Sequence, residues 1–291
     1  MGEFSDVIPE PFLKIVRPVV KIYQKSIDRL RINYYRSKVD VYVVSYRKSG
    51  RTWLRYLLGK IIEKKYNIPV EMKSFRYSDL SSEFINLNEN NIPRIIFCHD
   101  EDNKDASVND LRFNKKVYKD KKIVFLVREP KDVLTSHYLH KKNRNLTYDK
   151  IISEFIRDPK YGIDKLIKFM NLWENNRDLA GKFLLMKYED IKEDAKSEVK
   201  KFLDFIGLNV EEEIIDWAIE ESRFEKMKEI EIKNTLENVS SPELRAGNLD
   251  NEDSFKVRKG KVGGYSEYMS KEDVEFVNQR INNSLSSYFD Y

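Results

Sequence analysis

Four short apolar runs, "VYVVS" (41–45), "RIIFC" (94–98), "KIVFLV" (122–127) and "FLLMK" (183–187), alternate with stretches of helical periodicity. Runs of this length, rich in β-branched residues and without polar alternation, have the composition of strands covered on both faces. Strands that alternate with helices imply parallel pairing, so the expected fold class is α/β, a three-layer domain with a central parallel sheet. "TWLRYLLGKIIEKKY" follows the first run with apolar residues three and four apart. Lys131 to Lys142 follows the third, with Pro130 suited to a first helical position. "YGIDKLIKFMNLWENNRDLA" precedes the fourth, and "SEVKKFLDFIGL" and "EEEIIDWAIEES" come after it. Glu229 to Lys256 is polar without sustained periodicity and reads as a long loop. "SKEDVEFVNQRINNSL", with Ser270 as its N-cap, reads as a final helix. The expected organisation is an N-terminal helical extension over residues 1–40 and a single domain over 41–291.

Composition narrows the function classes. The 291 residues carry 53 Lys and Arg against 49 Asp and Glu, a net charge of +4 that suits small anionic ligands and is too weak to argue for nucleic acid. With one cysteine, Cys98, a disulfide framework is excluded and a reducing, cytoplasmic location is expected. Three histidines and that one cysteine make no metal-binding pattern. No apolar run reaches the ~20 residues of a membrane span. The basic segment 11–38 is read as a helix packed on the domain's flank, with contact to a membrane surface as the second reading.

In an open parallel sheet, ligands bind beyond the carboxyl ends of the strands. Lys48, His99 and Arg128 each fall just past such an end. "RKSGRTW" sits at a strand-to-helix turn, where backbone N–H groups without intrahelical partners and the helix dipole attract anions. Gly50 lets the backbone approach, Ser49 and Thr52 offer hydroxyls, and Lys48 brings a charge. The pattern G-x-x-x-x-G-K-[ST] of nucleoside-triphosphate loops is absent. "VREPKDVLTSHYLH" places Arg128 at a strand end and Ser136 eight positions later, and arginine is suited to bidentate phosphate binding. "RKGKVGG" adds Arg258, Lys259 and the backbone around Gly260. Taken singly, each also has a plain structural account: a capped, charged turn at Lys48, an ordinary ion pair at Arg128, which there is the favoured reading, and a solvated basic turn at Arg258. Together they suggest a ligand with phosphates at two ends.

The ensemble resembles the sulfotransferases that use 3′-phosphoadenosine 5′-phosphosulfate (PAPS), especially the soluble type, whose fold resembles that of P-loop kinases. "YRKSGRTW" is similar to the family's 5′-phosphosulfate loop, "REPKDVLTS" to its 3′-phosphate motif and "RKGKVGGY" to its late R-K-G-x-x-G motif. "PRIIFCH", "YEDIKED" and "SRFEKMKE" are similar to three further motifs, in family order, so the likeness runs from Tyr46 to Tyr265. The resemblance implies that Lys48, Ser49, Gly50, Arg51, Thr52 and Trp53 wrap the phosphosulfate. It implies that Arg128, Ser136, Arg258, Lys259 and Gly260 hold the 3′-phosphate, and that Trp53, Tyr188 and Phe224, with Ser222, enclose the adenine. His99 would take the acceptor's proton while Lys48 meets charge on the leaving phosphate of 3′-phosphoadenosine 5′-phosphate (PAP), with no metal required.

Four departures stand out. Phe97 replaces a family lysine near the sulfuryl group, Arg51 replaces a threonine and would add charge, Glu129 replaces an asparagine, and Gly264-Tyr265 replaces an aspartate and a tryptophan. Two other readings follow from the same residues. One is a P-loop-type kinase, which would need magnesium and has no use for a 3′-phosphate clamp. The other is a non-catalytic nucleotide-binding relative. The acceptor, a small molecule, lipid or glycan carrying a hydroxyl or amine, would be chosen by loops near 67–91, 141–162 and 229–256, whose sequences carry no readable code. No dimer signature is legible, so the sequence leaves the oligomeric state open.

Overall fold

Each of the four apolar runs is a strand: β1 (Val41–Ser45), β2 (Ile95–Cys98), β3 (Lys122–Val127) and β4 (Lys182–Lys187). They form one sheet in the order β2-β1-β3-β4, every pair parallel. The computed structural model describes residues 36–69, 91–100, 106–239 and 244–291. The chain clusters into two compact units, Met1–Val39 and Asp40–Tyr291, and the sheet belongs to the second. Residues 1–35, which hold most of the expected helical extension and of the basic segment 11–38, lie outside the described residues, as does 70–90 of the expected specificity loop.

Parallel strands need crossover connections, and helices supply them. α1 (Arg51–Tyr66) follows β1, and α2 (Pro130–Leu139) follows β3 with Pro130 at its start. α3 (Ile163–Asn175) precedes β4. Then come α4 (Tyr188–Glu193), α5 (Ala195–Ile206), α6 (Glu212–Glu221) and α7 (Phe224–Leu236). Gly207, at φ 86°, supplies the left-handed residue that ends α5. α8 (Lys271–Ser284) is capped as its sequence implies, the Ser270 hydroxyl accepting from the Asp273 amide at 3.1 Å. Among the described residues, no helix is long and apolar enough to cross a membrane.

The pleat sends alternate side chains to opposite faces, and the two faces are filled differently. Val41, Val43, Phe97, Val124 and Leu126 join Leu54, Leu57 and Ile61 of α1, Phe202 of α5 and Ile215 of α6 in one aliphatic core. The other face is aromatic. Tyr42 meets Tyr118 edge-on at 4.9 Å, Tyr118 meets Trp173 of α3 at 4.9 Å, and Trp173 stacks on Phe125 at 5.8 Å. Burial from both sides explains why the strands carry no polar alternation.

Two expectations need correction. The stretch 229–256 is not one long loop, because its first third belongs to α7. That helix is anchored by Met227, packed with Tyr56 and Leu244, and by a buried carboxylate. Glu231 is fully buried and accepts from the amides of Lys256 (2.6 Å) and Val257 (2.8 Å). A charged residue holding a helix in place is invisible to a search for apolar periodicity. The helix expected over Lys131–Lys142 keeps its place but changes pitch. After Leu139 it opens into a π-helical turn, His140–Arg144, with the Asn145 amide bonded back to the His140 carbonyl at 3.0 Å.

Past the end of β2, Asp100 (0% exposed, φ 56°) pairs with the ammonium of buried Lys115. Breaking a buried pair on one side leaves an uncompensated charge. Lys115→Met is therefore expected to cost about 3–5 kcal/mol in denaturant unfolding. Lys115→Met combined with Asp100→Asn, which removes the stranded charge and tolerates the left-handed backbone, should recover most of that loss.

Candidate functional site

Because every strand is parallel, the carboxyl ends of β1, β2 and β3 open on one edge of the sheet. A cavity of about 480 Å³ lies there. Of the site residues expected from sequence, Lys48, Gly50, Arg51, Thr52, Trp53, His99, Arg128, Ser136, Tyr188, Ser222, Phe224, Arg258, Lys259 and Gly260 all line it. Ser49 does not. It is 1% exposed beneath the loop, and its hydroxyl finds no partner among the described residues.

The loop after β1 is held in an uncommon backbone shape. Lys48 takes φ 70° and Gly50 φ 95°, and a left-handed lysine is the kind of local strain that functional loops retain. Gly50 is required for a second reason, since a Cβ there would lie 2.5 Å from Cδ2 of Tyr188. α1 begins at the next residue, so the loop delivers a helix N-terminus to the cavity. Burial pushes the Lys48 ammonium down to about 7, helped by the cations Lys256, Arg144 and Arg128.

His99 stands one residue beyond β2 and is half-buried. Its Nδ1 lies 2.9 Å from the Ser45 carbonyl, and its Nε2 lies 2.6 Å from the Arg51 guanidinium. A carbonyl only accepts and a guanidinium only donates. The proton is therefore on Nδ1, the ring is neutral, and the Nε2 lone pair accepts from Arg51. Phe97, by contrast, is 3% exposed in the aliphatic core, paired in register with Val43. The cation that does reach His99 is Arg51, which comes from the first turn of α1.

The second basic cluster is built by cross-links between distant segments. Arg128 donates to the carbonyls of Lys48 (3.3 Å) and Lys261 (2.9 Å), pairs with Asp132 one turn along α2 (3.4 Å), and lies over the Tyr188 ring at 4.5 Å. The ion pair and the cavity position coexist. Asp132 also accepts from the amides of Gly263 (2.9 Å) and Tyr265 (3.0 Å), which fastens the late loop to α2. Arg258 donates to the Tyr268 hydroxyl at 3.0 Å and pairs with Asp253 at 3.4 Å, while Lys259 pairs with Glu267. Gly260, at φ 58°, abuts Phe224, whose Cδ2 would lie 3.0 Å from an added Cβ. Trp53 is oriented by its indole N–H, which donates to the Ser222 carbonyl at 2.9 Å.

The cationic loops at Lys48 and Arg258, the glycines Gly50 and Gly260, and the rings of Trp53, Tyr188 and Phe224 thus share one cavity, an arrangement with the chemistry to hold a flat base carrying phosphates. Sequence reasoning missed Arg47, Arg55, His137, His140, Lys192 and Lys256, all of which line the same cavity. His137 and His140 were legible in principle. They lie one and four positions beyond Ser136, so a helix after β3 puts His140 one turn above it.

Comparison with known proteins agrees with this geometry. The chain matches the sulfotransferase domain family over residues 38–289. It is 27% identical to sulfotransferase 1A1 of Rattus norvegicus over 262 residues, covering 85% of this chain and 84% of the relative. It is 27% identical to the amine sulfotransferase of Oryctolagus cuniculus over 245 residues, covering 81% and 77%. Among solved structures, retinol dehydratase in complex with androsterone and inactive cofactor PAP superposes with a TM-score of 0.61 at 19% identity, over 84% of this chain and 80% of that one. The fold and site define a nucleotide-cradling transferase. The chain belongs to the sulfotransferase family, the type that depends on PAPS.

The double constraint on Gly50 is testable. Gly50→Ala is expected to lose about 1–2 kcal/mol from the left-handed backbone alone, with a further loss as Tyr188 is displaced. Chemical denaturation of the variant should show both against Tyr188→Ala/Gly50→Ala, in which the steric part is relieved.

Proposed function

We propose that the enzyme moves the sulfuryl group of PAPS to a hydroxyl or amine of a small acceptor by in-line transfer, with His99 as general base. The observation that carries this reading is the neutral His99, held between Ser45 and Arg51 with its proton on Nδ1. A residue that is to accept a proton must present a lone pair, and this one does.

Bound in the cradle, PAPS supplies an activated sulfur–oxygen bond. Lys48 and the first-turn amides of α1 hold its phosphosulfate, and Arg128, Ser136, Arg258, Lys259 and the Gly260 backbone hold its 3′-phosphate. Trp53, Tyr188 and Phe224 enclose the base. Arg51 shifts from His99 toward the sulfuryl oxygens and takes the part of the lysine replaced by Phe97. His99 then receives the acceptor's proton on Nε2 as the acceptor oxygen or nitrogen bonds to sulfur. The bond from sulfur to the 5′-phosphate breaks, and Lys48 meets the charge left on PAP. Fixed donors aimed at developing charge are commonly the largest catalytic contribution. The scheme needs no metal ion. A cytoplasmic setting fits a buried free thiol at Cys98, and residues 41–291 would be the whole catalytic domain.

Calorimetric titration without magnesium tests the donor site. PAP should bind tightly, ADP and AMP weakly. Arg128→Ala or Arg258→Ala should weaken PAP about 10- to 100-fold, the loss of one charge-assisted contact, and leave ADP almost unchanged. PAP binding no tighter than ADP would overturn the reading. Transfer of labelled sulfate from PAPS to an acceptor panel, absent in His99→Ala, tests the chemistry.

Lys48 adds a proton-linked signature. With its pKa at about 7 in the free protein, Lys48 is mostly neutral at pH 8 and mostly charged at pH 6. A bound phosphate raises that pKa, so PAP binding at pH 8 should take up close to one proton, and at pH 6 almost none. Affinity should fall as pH rises through 7. Titrations in buffers of different ionisation enthalpy measure the uptake directly, and Lys48→Met should abolish it.

A further inference from the structure

Two histidines of the cavity wall have no part in donor binding or proton transfer. His137 and His140 lie three positions apart at the end of α2, hence on neighbouring turns of one face, and both line the cavity. They stand beside the Lys48 loop. Tyr46, two residues before Lys48, presents its ring edge-on to His137 at 6.1 Å, and the carbonyl of Ser45, one residue earlier, holds His99. His99, after β2, and His137, on the helix after β3, therefore flank the exit of β1 from its two sides.

Their hydrogen-bonding capacity is unused. His137 is 2% exposed and neither of its ring nitrogens has a partner among the described residues, and Nδ1 of His140 is buried and unpartnered as well. The ring of His137 is held in place by Phe155 and Tyr161, which hem it edge-on at 5.3 and 5.7 Å. His140 opens the π-helical turn, a distortion frequent at functional sites. Buried polar groups are ordinarily satisfied, and those that are not call for a ligand or a catalytic role.

Charge does not identify that ligand, since the lining holds the carboxylate Glu225 as well as cations. Nor are the two rings charged. Burial first, and then the surrounding cations, push His140 down to about 3 and His137 well below the usual histidine range. A neutral imidazole carries one donor and one acceptor. Two of them on one face suit an uncharged group that both donates and accepts, a hydroxyl or a carboxamide, and offer nothing to a hydrocarbon.

We propose that His137 and His140 form a recognition subsite for a neutral hydroxyl or amide group of the acceptor, separate from the group that is sulfated, so that the enzyme selects acceptors with a second polar function over hydrocarbon-like alcohols and phenols. The proposal rests on the sulfotransferase reading. An entering acceptor displaces solvent from both rings, and one that cannot restore the lost hydrogen bonds binds less well. Selection of this kind is steep, because a site built to bond a polar group strongly rejects the analogue that lacks it. The two histidines determine specificity and move no proton in the transfer.

The test measures turnover at saturating PAPS on acceptors paired by shape: 4-hydroxybenzamide against 4-isopropylphenol, and trans-1,4-cyclohexanediol against trans-4-methylcyclohexanol. The polar member should exceed its partner about tenfold or more in kcat/KM. His137→Phe and His140→Phe should each bring the ratio toward unity and leave PAP affinity unchanged. His140→Gln, which keeps a donor and an acceptor, should retain part of the preference. Neither Phe variant should unfold at lower denaturant than the unsubstituted protein, because no partnered group is removed. The chain has three histidines, so isotope labelling of histidine allows each imidazole to be followed by NMR. In the PAP-loaded protein the diol and the benzamide should shift ring nitrogens of His137 and His140, and the apolar partners should not. An equal or inverted ratio would overturn the proposal, as would a preference that survives both Phe substitutions. So would silence of both rings toward every acceptor, and so would a response to PAP alone with no further change on adding acceptor, which would give the histidines to the donor. Failure of PAP to bind is a separate result, and it sinks the sulfotransferase reading before this subsite is reached.

Discussion

Parallel pairing of β1 between β2 and β3 is the constraint on which the rest of the molecule depends. The register sets Val44 against Cys98 on one side and Phe125 on the other. Three chain segments therefore leave the sheet within a few ångströms of one another. Lys48, His99 and Arg128 come from stretches up to eighty residues apart in sequence, and an antiparallel arrangement would have sent one of them to the far edge. The aliphatic and aromatic faces that bury the sheet hold this edge rigid, and the polar chemistry sits on top of it.

Two carboxylates then turn an open edge into a site. Asp132 ties Arg128 to the loop at Gly263 and Tyr265, and Glu231 ties α7 and Arg144 to the segment at Lys256 and Val257. Both are buried, at 3% and 0% exposure, and both accept several bonds at once. Desolvating a carboxylate is costly unless its oxygens are fully used, and here their use is what carries basic loops from the C-terminal third of the domain over to the strand ends. The positive potential of the cavity is assembled by negative residues beneath it.

Phe97 and Arg51, both departures from the family motifs, go to different places, the first to the core and the second to the cavity. A lysine at position 97 would have to leave the strand toward the cavity, but the side chain present there points into the aliphatic core. Arg51 reaches the same neighbourhood from the first turn of α1, and it also fixes the tautomer of His99. Arg51 thus brings a charge on α1 into direct contact with the ring of His99.

Much of this was legible in the sequence, and the limits have physical causes. Strand positions, the class of fold and the turn at Lys48 follow from local patterns, namely burial on both faces and a glycine at a strand-to-helix turn, while Arg128, Arg258, Trp53, Tyr188 and Phe224 were singled out by motif and do line one cavity. α7 escaped notice because Glu231, a charged side chain, is its anchor. Ser49 looked like a ligand because its motif places a hydroxyl in the loop, yet the loop's left-handed turn points it into the protein. His137 and His140 could have been found by their spacing from Ser136, whereas Arg47 and Lys256 reach the cavity lining from segments far apart in the chain and carry no local signature. Sequence alone determined what each segment would become, because local conformation and burial depend on nearest neighbours along the chain. Which charges face one another and which carboxylate ties which loop was decided by the tertiary structure, because electrostatic interaction depends on distance through space.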